Sequence, residues 1–130
     1  DLLTVNSGGE HLRATTARMA TTSGIALEIQ IAPLLQMFGL NRSKILKAYR
    51  EAIATAIGTD MMVVLTSGAT VPMGLRSPVA MTHIGMLLGM EKPDSDNAIN
   101  EFPSNIIQRN LKKLEPGYVG AGVEVLQRRD

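Results

Sequence analysis

Apolar residues recur along this chain with two alternating periods. It opens on a short buried-type run, Leu2-Leu3-Thr4-Val5. Leu12, Ala14, Ala17, Met19 and Ala20 then suit a helix from Glu10 to Thr22, ending at Gly24, where glycine takes a left-handed turn at little cost. Ile25 to Ile31 alternates as a strand, with Glu28 and Gln30 on one side. Ala32 to Leu40, which holds Pro33 and Gly39, reads as a connection. A long helix is expected from Asn41, as its cap, to Ile57 before Gly58. Its inward stripe is Ile45, Leu46, Tyr49, Ala52, Ile53, Ala56 and Ile57. Met61 to Thr66 is the next buried strand. A helix follows with Ser77 as N-cap and Pro78 at its first position, and it stops at Gly89-Met90. Short helices are expected near Ser95 to Glu101 and from Pro103 or Ser104 to Leu114, then an extended segment from Val119 to Leu126.

Strands that alternate with helices, and that are apolar along their length, imply parallel β/α units. The expected class is α/β, a partial TIM-like (β/α) barrel of parallel strands with flanking helices. Three strands do not close a barrel, which takes roughly eight. The alternatives are half a barrel or a small open sheet. The start in mid-pattern at Asp1 favours the half barrel, with the N-terminal strands absent and 1–130 forming one portion of a single domain. Strand edges left open by such a cut would promote aggregation or dimerisation.

Composition narrows the chemistry. Hydrophobic residues make up 45% of the chain and aromatic ones 3%, so the core must be Leu, Ile, Val, Met and Ala. There is no cysteine, which excludes disulfides and thiolate metal sites and fits an intracellular, reducing compartment. No apolar run approaches the ~20 residues of a membrane span. With a net charge of +1, any nucleic-acid role needs a local patch.

Catalytic constellations are sparse. His11 and His83 are the only histidines, and neither stands at ligand spacing with a carboxylate. His83, between Met81 and Ile84 on its helix, reads as a core or half-exposed residue. His11 follows Gly8-Gly9 in a loop, and the structural reading is preferred there too. Ser67, in Thr66-Ser67-Gly68-Ala69, sits at a strand end where α/β enzymes place reactive groups. Its surroundings are not a nucleophile elbow, so a turn hydroxyl is the better account. Ser7-Gly8-Gly9 could cradle a phosphate, but a turn explains it equally well.

The cations carry more. Arg42, Lys44, Lys47 and Arg50 fall within nine residues of one helix, Arg109, Lys112 and Lys113 cluster on the last, and Arg76 occupies a strand-end loop. Such residues can hold phosphates and position an RNA without reading its bases. The bland reading is a solvated helix face, helped by Lys47 and Glu51 at i,i+4. No aromatic residues interleave with them, which argues against base stacking.

Several segments, in order, resemble one family. They are Gly24-Ile25-Ala26-Leu27-Glu28-Ile29, Pro33-Leu34-Leu35 with Arg42-Ser43-Lys44-Ile45-Leu46, Thr66-Ser67-Gly68-Ala69, Leu75-Arg76-Ser77-Pro78, Leu88-Gly89-Met90, and Pro103 to Asn110. Together they are similar to the C-terminal half of archaeal ribonuclease P protein component 3. Val71-Pro72-Met73 and Asn6-Ser7-Gly8-Gly9 depart from the family pattern. The resemblance implies a β/α barrel of which this chain is the C-terminal portion, and a cytoplasmic, non-catalytic subunit that helps remove 5′ leaders from precursor tRNA. The RNA would perform the hydrolysis with magnesium, the protein binding no cofactor. The implied partners are the ribonuclease P RNA, precursor tRNA and a small α/β protein subunit, with no membrane. Arg76 and the 42–50 cluster are the first residues expected to face RNA, with Arg109, Lys112 and Lys113 second. The rival is a metal-dependent phosphoesterase-like barrel hydrolase using His11, Glu28, Ser67 and Arg76.

Overall fold

The computed structural model describes residues 1–5, 11–120 and 123–124. Three strands, β1 (Leu2–Thr4), β2 (Ala26–Gln30) and β3 (Val63–Thr66), form a parallel sheet in the order β1-β2-β3. Leu3 stands beside Leu27 and Leu27 beside Val63, so these side chains share a face. Helix α1 (Ala14–Thr22) connects β1 to β2. Helices α2 (Ala32–Gln36) and α3 (Gly39–Ile57) connect β2 to β3. After β3 come a 3-10 turn (Pro72–Gly74), α4 (Pro78–Leu87), α5 (Lys92–Ile99) and α6 (Glu101–Lys113). The strands β4 (Tyr118–Gly120) and β5 (Val123–Glu124) pair antiparallel, outside the main sheet.

One sheet face makes the main core. Leu27, Ile29, Ile31, Val63 and Leu65 pack there against Ala17 and Ala20 of α1, the α3 stripe, and Met81 and Leu88 of the α4 region. Burying each Leu or Ile side chain contributes about 1.5–3 kcal/mol. The other face is covered only in part, where Ile106 and Phe102 of α6 lie on Ala26 and Val64. Farther along the strands that face turns polar, with Thr4, Glu28, Gln30 and Thr66.

The helix ends follow local chemistry. Gly24 has φ +66°, and the Ile25 amide returns to the Ala20 carbonyl at 2.9 Å, closing α1. The Ser77 hydroxyl accepts from the Ala80 amide at 3.3 Å, with Pro78 in the first turn of α4. Helices α4 and α5 are braced together. Thr82 and Lys92 both donate to Asp96, at 2.8 and 2.7 Å, and these bonds, Lys92 first, hold the Asp96 carboxyl below its ordinary range.

Several helix boundaries, and the burial of one residue, differ from expectation. Ala32 to Gln36 is helical, because a proline in the first turn gives up an amide that no helix uses. Helix α3 starts at Gly39 after Phe38, so Asn41 lies inside it and does not cap it. Ile57, placed on the inward stripe, is 44% exposed at the last position of α3. Helices α5 and α6 begin earlier than expected, with Pro93 and Pro103 taken into them near their starts. Helix α1 starts late, at Ala14, because His11, Leu12 and Arg13 are not helical and Arg13, at φ −80° and ψ 143°, is extended. Of the extended segment Val119 to Leu126, residues 121, 122, 125 and 126 lie outside the described residues, as do Ser7-Gly8-Gly9 and Glu10.

Candidate nucleic-acid interface

Helix α3 buries Ile45, Tyr49, Ala52, Ile53 and Ala56, which fixes where its cations point. At about 100° per residue, Lys47 lies opposite this stripe, and Lys44 and Arg50 fall on either side of it. Arg42 lies in line with the stripe, one turn beyond its last buried residue. Burial raises the Tyr49 hydroxyl above its usual pKa, and it takes no part in this surface.

The eight cations are put to different uses. Arg50 donates from Nε and Nη2 to the Leu87 carbonyl, at 3.0 and 2.7 Å, satisfying the C-terminal end of α4. Arg42 donates from Nε to the Met37 carbonyl at 2.7 Å, and its guanidinium stacks over Phe38, 5.2 Å from the ring centre. Arg76 folds back on its own loop, Nη1 donating to the carbonyls of Met73 (2.9 Å) and Leu75 (2.7 Å). Arg109 bonds the Gly24 carbonyl at 2.8 Å and the Asp1 carboxylate at 2.9 Å, joining α6 to the α1–β2 turn. Lys113 is 3.7 Å from the same carboxylate. Lys47 is 3.8 Å from Glu51 in an exposed pair. Lys44 and Lys112 are exposed, and among the described residues no carboxylate lies within ion-pair distance of either. The cations that project freely are thus lysines of α3 and α6, while four arginines grip main-chain carbonyls.

The four residues of the rival hydrolase reading are engaged separately. Glu28 accepts from Thr4 (2.5 Å), Thr66 (2.9 Å) and Gln30 (3.4 Å), so its oxygens are spent within the sheet. That network was not foreseen. The register that sets Thr4 beside Glu28 and Gln30 beside Thr66 produces it, and only the alternation of β2 hints at it. The Ser67 hydroxyl accepts from the Ala69 amide at 3.3 Å, an ordinary turn bond. His11 is exposed, with Nδ1 3.2 Å from Glu51. His83 is exposed, its Nδ1 2.7 Å from the Val79 carbonyl of its own helix. Among the described residues no three His, Asp or Glu side chains converge as metal ligands, and no helix is long and apolar enough to cross a membrane.

Comparison with known proteins adds a third line. Residues 1–114 match the family model described as RNase P subunit p30. "Ribonuclease P protein component 3" of Methanosarcina acetivorans is 33% identical over 119 residues, 92% of this chain and 49% of that protein. The protein of the same name from Methanococcoides burtonii is 31% identical over 119 residues, again 92% of this chain and 48% of its own length. In Methanococcus maripaludis the identity is 29% over 127 residues, covering 98% of this chain and 53% of the relative. The chain therefore spans about half the length of the curated relatives it matches. A chain of the cryo-EM structure of archaeal Ribonuclease P with mature tRNA superposes with a TM-score of 0.86 at 22% identity, over 100% of this chain and 57% of that one, and so shares its fold.

Proposed function

The chain belongs to the RNase P subunit p30 family, and from that premise we propose that it is part of a non-catalytic protein subunit of ribonuclease P. In this reading it acts in the cytoplasm and supports removal of 5′ leaders from precursor tRNA by stabilising the catalytic RNA. The three parallel strands belong to the C-terminal portion of a larger β/α barrel. Relatives about twice as long support this, as do the outer edges of β1 and β3, which pair with no described strand. The partners are the ribonuclease P RNA, precursor tRNA and a small α/β protein subunit, and magnesium serves the RNA.

One observation carries the role: Lys44 and Lys112 are exposed on helices with no carboxylate within ion-pair distance among the described residues, and Lys47 is held only by an exposed pair with Glu51. Lysines spaced along a helix neutralise phosphates and leave base identity unread. Lys44, Lys47 and Lys112 are the proposed RNA contacts, with Lys113 beside them. Arg50 and Arg109 serve the fold first, and Arg42 and Arg76 shape the strand-end surface.

The test is reconstitution of the complete protein with its ribonuclease P RNA and the small subunit, following precursor-tRNA cleavage at limiting magnesium. Cleavage should depend on the protein. The Lys44→Ala/Lys47→Ala/Lys112→Ala variant should bind RNA more weakly, its log-affinity against log-salt slope shallower by roughly 0.7–0.9 for each phosphate no longer neutralised. An unchanged slope would remove these lysines from the interface. Phosphoester hydrolysis by the protein alone would return the barrel-hydrolase reading.

A further inference from the structure

Helix α6 lies on the sheet face that α1, α3 and α4 leave open. Phe102, at its start, shares a cleft with Met62 and Val63, where β3 begins. Ile106 sits on Ala26 and Val64. Arg109 bonds the Gly24 carbonyl ahead of β2, and Arg109, Asn110 and Lys113 all reach the Asp1 carboxylate ahead of β1. The helix therefore crosses the strands near their N-terminal ends, from β3 over β2 to β1. In a β/α barrel the connecting helices form an outer ring, and the opposite face of the sheet lines the interior. By that rule α6 stands inside.

Only part of its circumference is used. At about 100° per residue, Arg109 falls on one side of the buried Ile106, toward Gly24. Ile107, Leu111 and Leu114 fall on the other side, in line at i, i+4 and i+7, and so face along the strands toward Glu28 and Thr66. They are 58%, 51% and 81% exposed. Single exposed leucines are ordinary, but an aliphatic row at helical spacing, beside a face already buried, is a second packing face. The wall next to it is the polar Thr4, Glu28, Gln30 and Thr66 stretch. Among the described residues no cation lies within ion-pair distance of Glu28. Aliphatic side chains beside an unpaired carboxylate make a poor seat for a phosphate backbone.

Length and topology point to a different occupant. The outer edges of β1 and β3 meet no described strand. The chain covers 49% of the Methanosarcina acetivorans relative, which leaves about as many residues again to be placed. Strands added at either edge of a twisted sheet that closes into a barrel curl toward its interior face. That path brings them over α6.

We propose that α6 is an internal plug, enclosed when the remaining strands of the complete domain close over it and bury the Ile107, Leu111 and Leu114 row. The helix is then held between the two halves of the barrel at its N-terminal mouth. Lys112, on the same flank as Arg109, stays outside and open to RNA. The proposal rests on the partial-barrel reading above and adds to it which helix the barrel encloses.

The chain has no cysteine, so a thiol placed in it reports on one position alone. In the complete protein, Ile107→Cys and Leu111→Cys are compared with Met19→Cys on α1, a position 73% exposed. Reaction with N-ethylmaleimide is timed without RNA and mapped by peptide mass spectrometry, and circular dichroism checks the fold. Both α6 thiols should react about tenfold or more slowly than the α1 thiol. Equal rates overturn the proposal. So does protection that grows with protein concentration, which would assign the row to a second copy. Protection that appears only when ribonuclease P RNA is added overturns it too, as a nucleic-acid contact. Hydroxyl-radical footprinting of the wild type repeats the comparison without a substitution, should a variant fail to fold. Amide exchange at Leu2 and Thr4 separates the plug from the barrel around it. A protected β1 edge beside a reactive row removes the plug and leaves the barrel standing, whereas an unprotected edge with a reactive row removes both.

Discussion

A positive charge in the sequence does not say what its side chain will grip. Arg109 and Lys112 lie three residues apart on α6 and read alike as RNA-facing cations. Yet Arg109 donates to the Gly24 carbonyl and the Asp1 carboxylate, whereas Lys112 is exposed. Gly24 is part of the reason. A Cβ there would stand 2.7 Å from Arg109 Nη1, so the glycine that ends α1 also admits the guanidinium. Arg109→Ala should therefore cost stability, about 1–2 kcal/mol from the missing charge-assisted hydrogen bonds at a partly exposed site. Lys112→Ala should leave stability within about 0.5 kcal/mol. Urea titrations of the two variants decide it, and equal stabilities would mean that the α6 anchor contributes nothing. Cluster membership was legible from residue type and helical spacing. The division of labour was not, because every acceptor that Arg109 uses is far away in sequence.

At the scale of elements, the strands and the long helix were legible from their period, although Asn41 does not cap α3. Ser77-Pro78 and Gly24 each end or start a helix where the sequence places the boundary. The misplaced boundaries all involve proline or a side chain at a helix end. Pro33, Pro93 and Pro103 sit in helices, where only tertiary contacts distinguish a starting proline from a breaking one. A close contact between two helices was also invisible. A Cβ on Gly85 of α4 would lie 1.9 Å from the buried Ser95 Oγ of α5 and 2.8 Å from Leu65 Cδ1. Ser95 cannot swing away without losing its bond to the Thr82 carbonyl at 2.8 Å. Gly85→Ala should thus destabilise by about 2–3 kcal/mol through overpacking, although alanine favours helices. Adding Ser95→Gly should recover part of the loss. A Gly85→Ala protein that melts like wild type would show that α4 and α5 can separate freely.

For the whole molecule, the sheet is more open than its core suggests. The Val5 amide bonds the Glu28 carbonyl, so β1 turns alternate backbone groups toward β2, and those of Leu2 and Thr4 point the other way. No described strand meets that edge. An uncovered edge is a template for another chain, and beside it the polar Thr4–Glu28–Thr66 stretch lies beyond the Ala26 and Val64 patch on which α6 packs. The 130-residue chain by itself should therefore associate as its concentration rises, edge against edge. Leu2→Pro removes one outward amide without touching the β1–β2 ladder, at a side chain already 44% exposed. Sedimentation across a concentration series should show association in wild type and a shift toward monomer in Leu2→Pro, with the circular dichroism of both alike. A wild-type chain that stays monomeric throughout would mean that the edge is blunted without a partner. A variant that associates as strongly would place the contact elsewhere, with the exposed Ile107, Leu111 and Leu114 row of α6 as the next to alter.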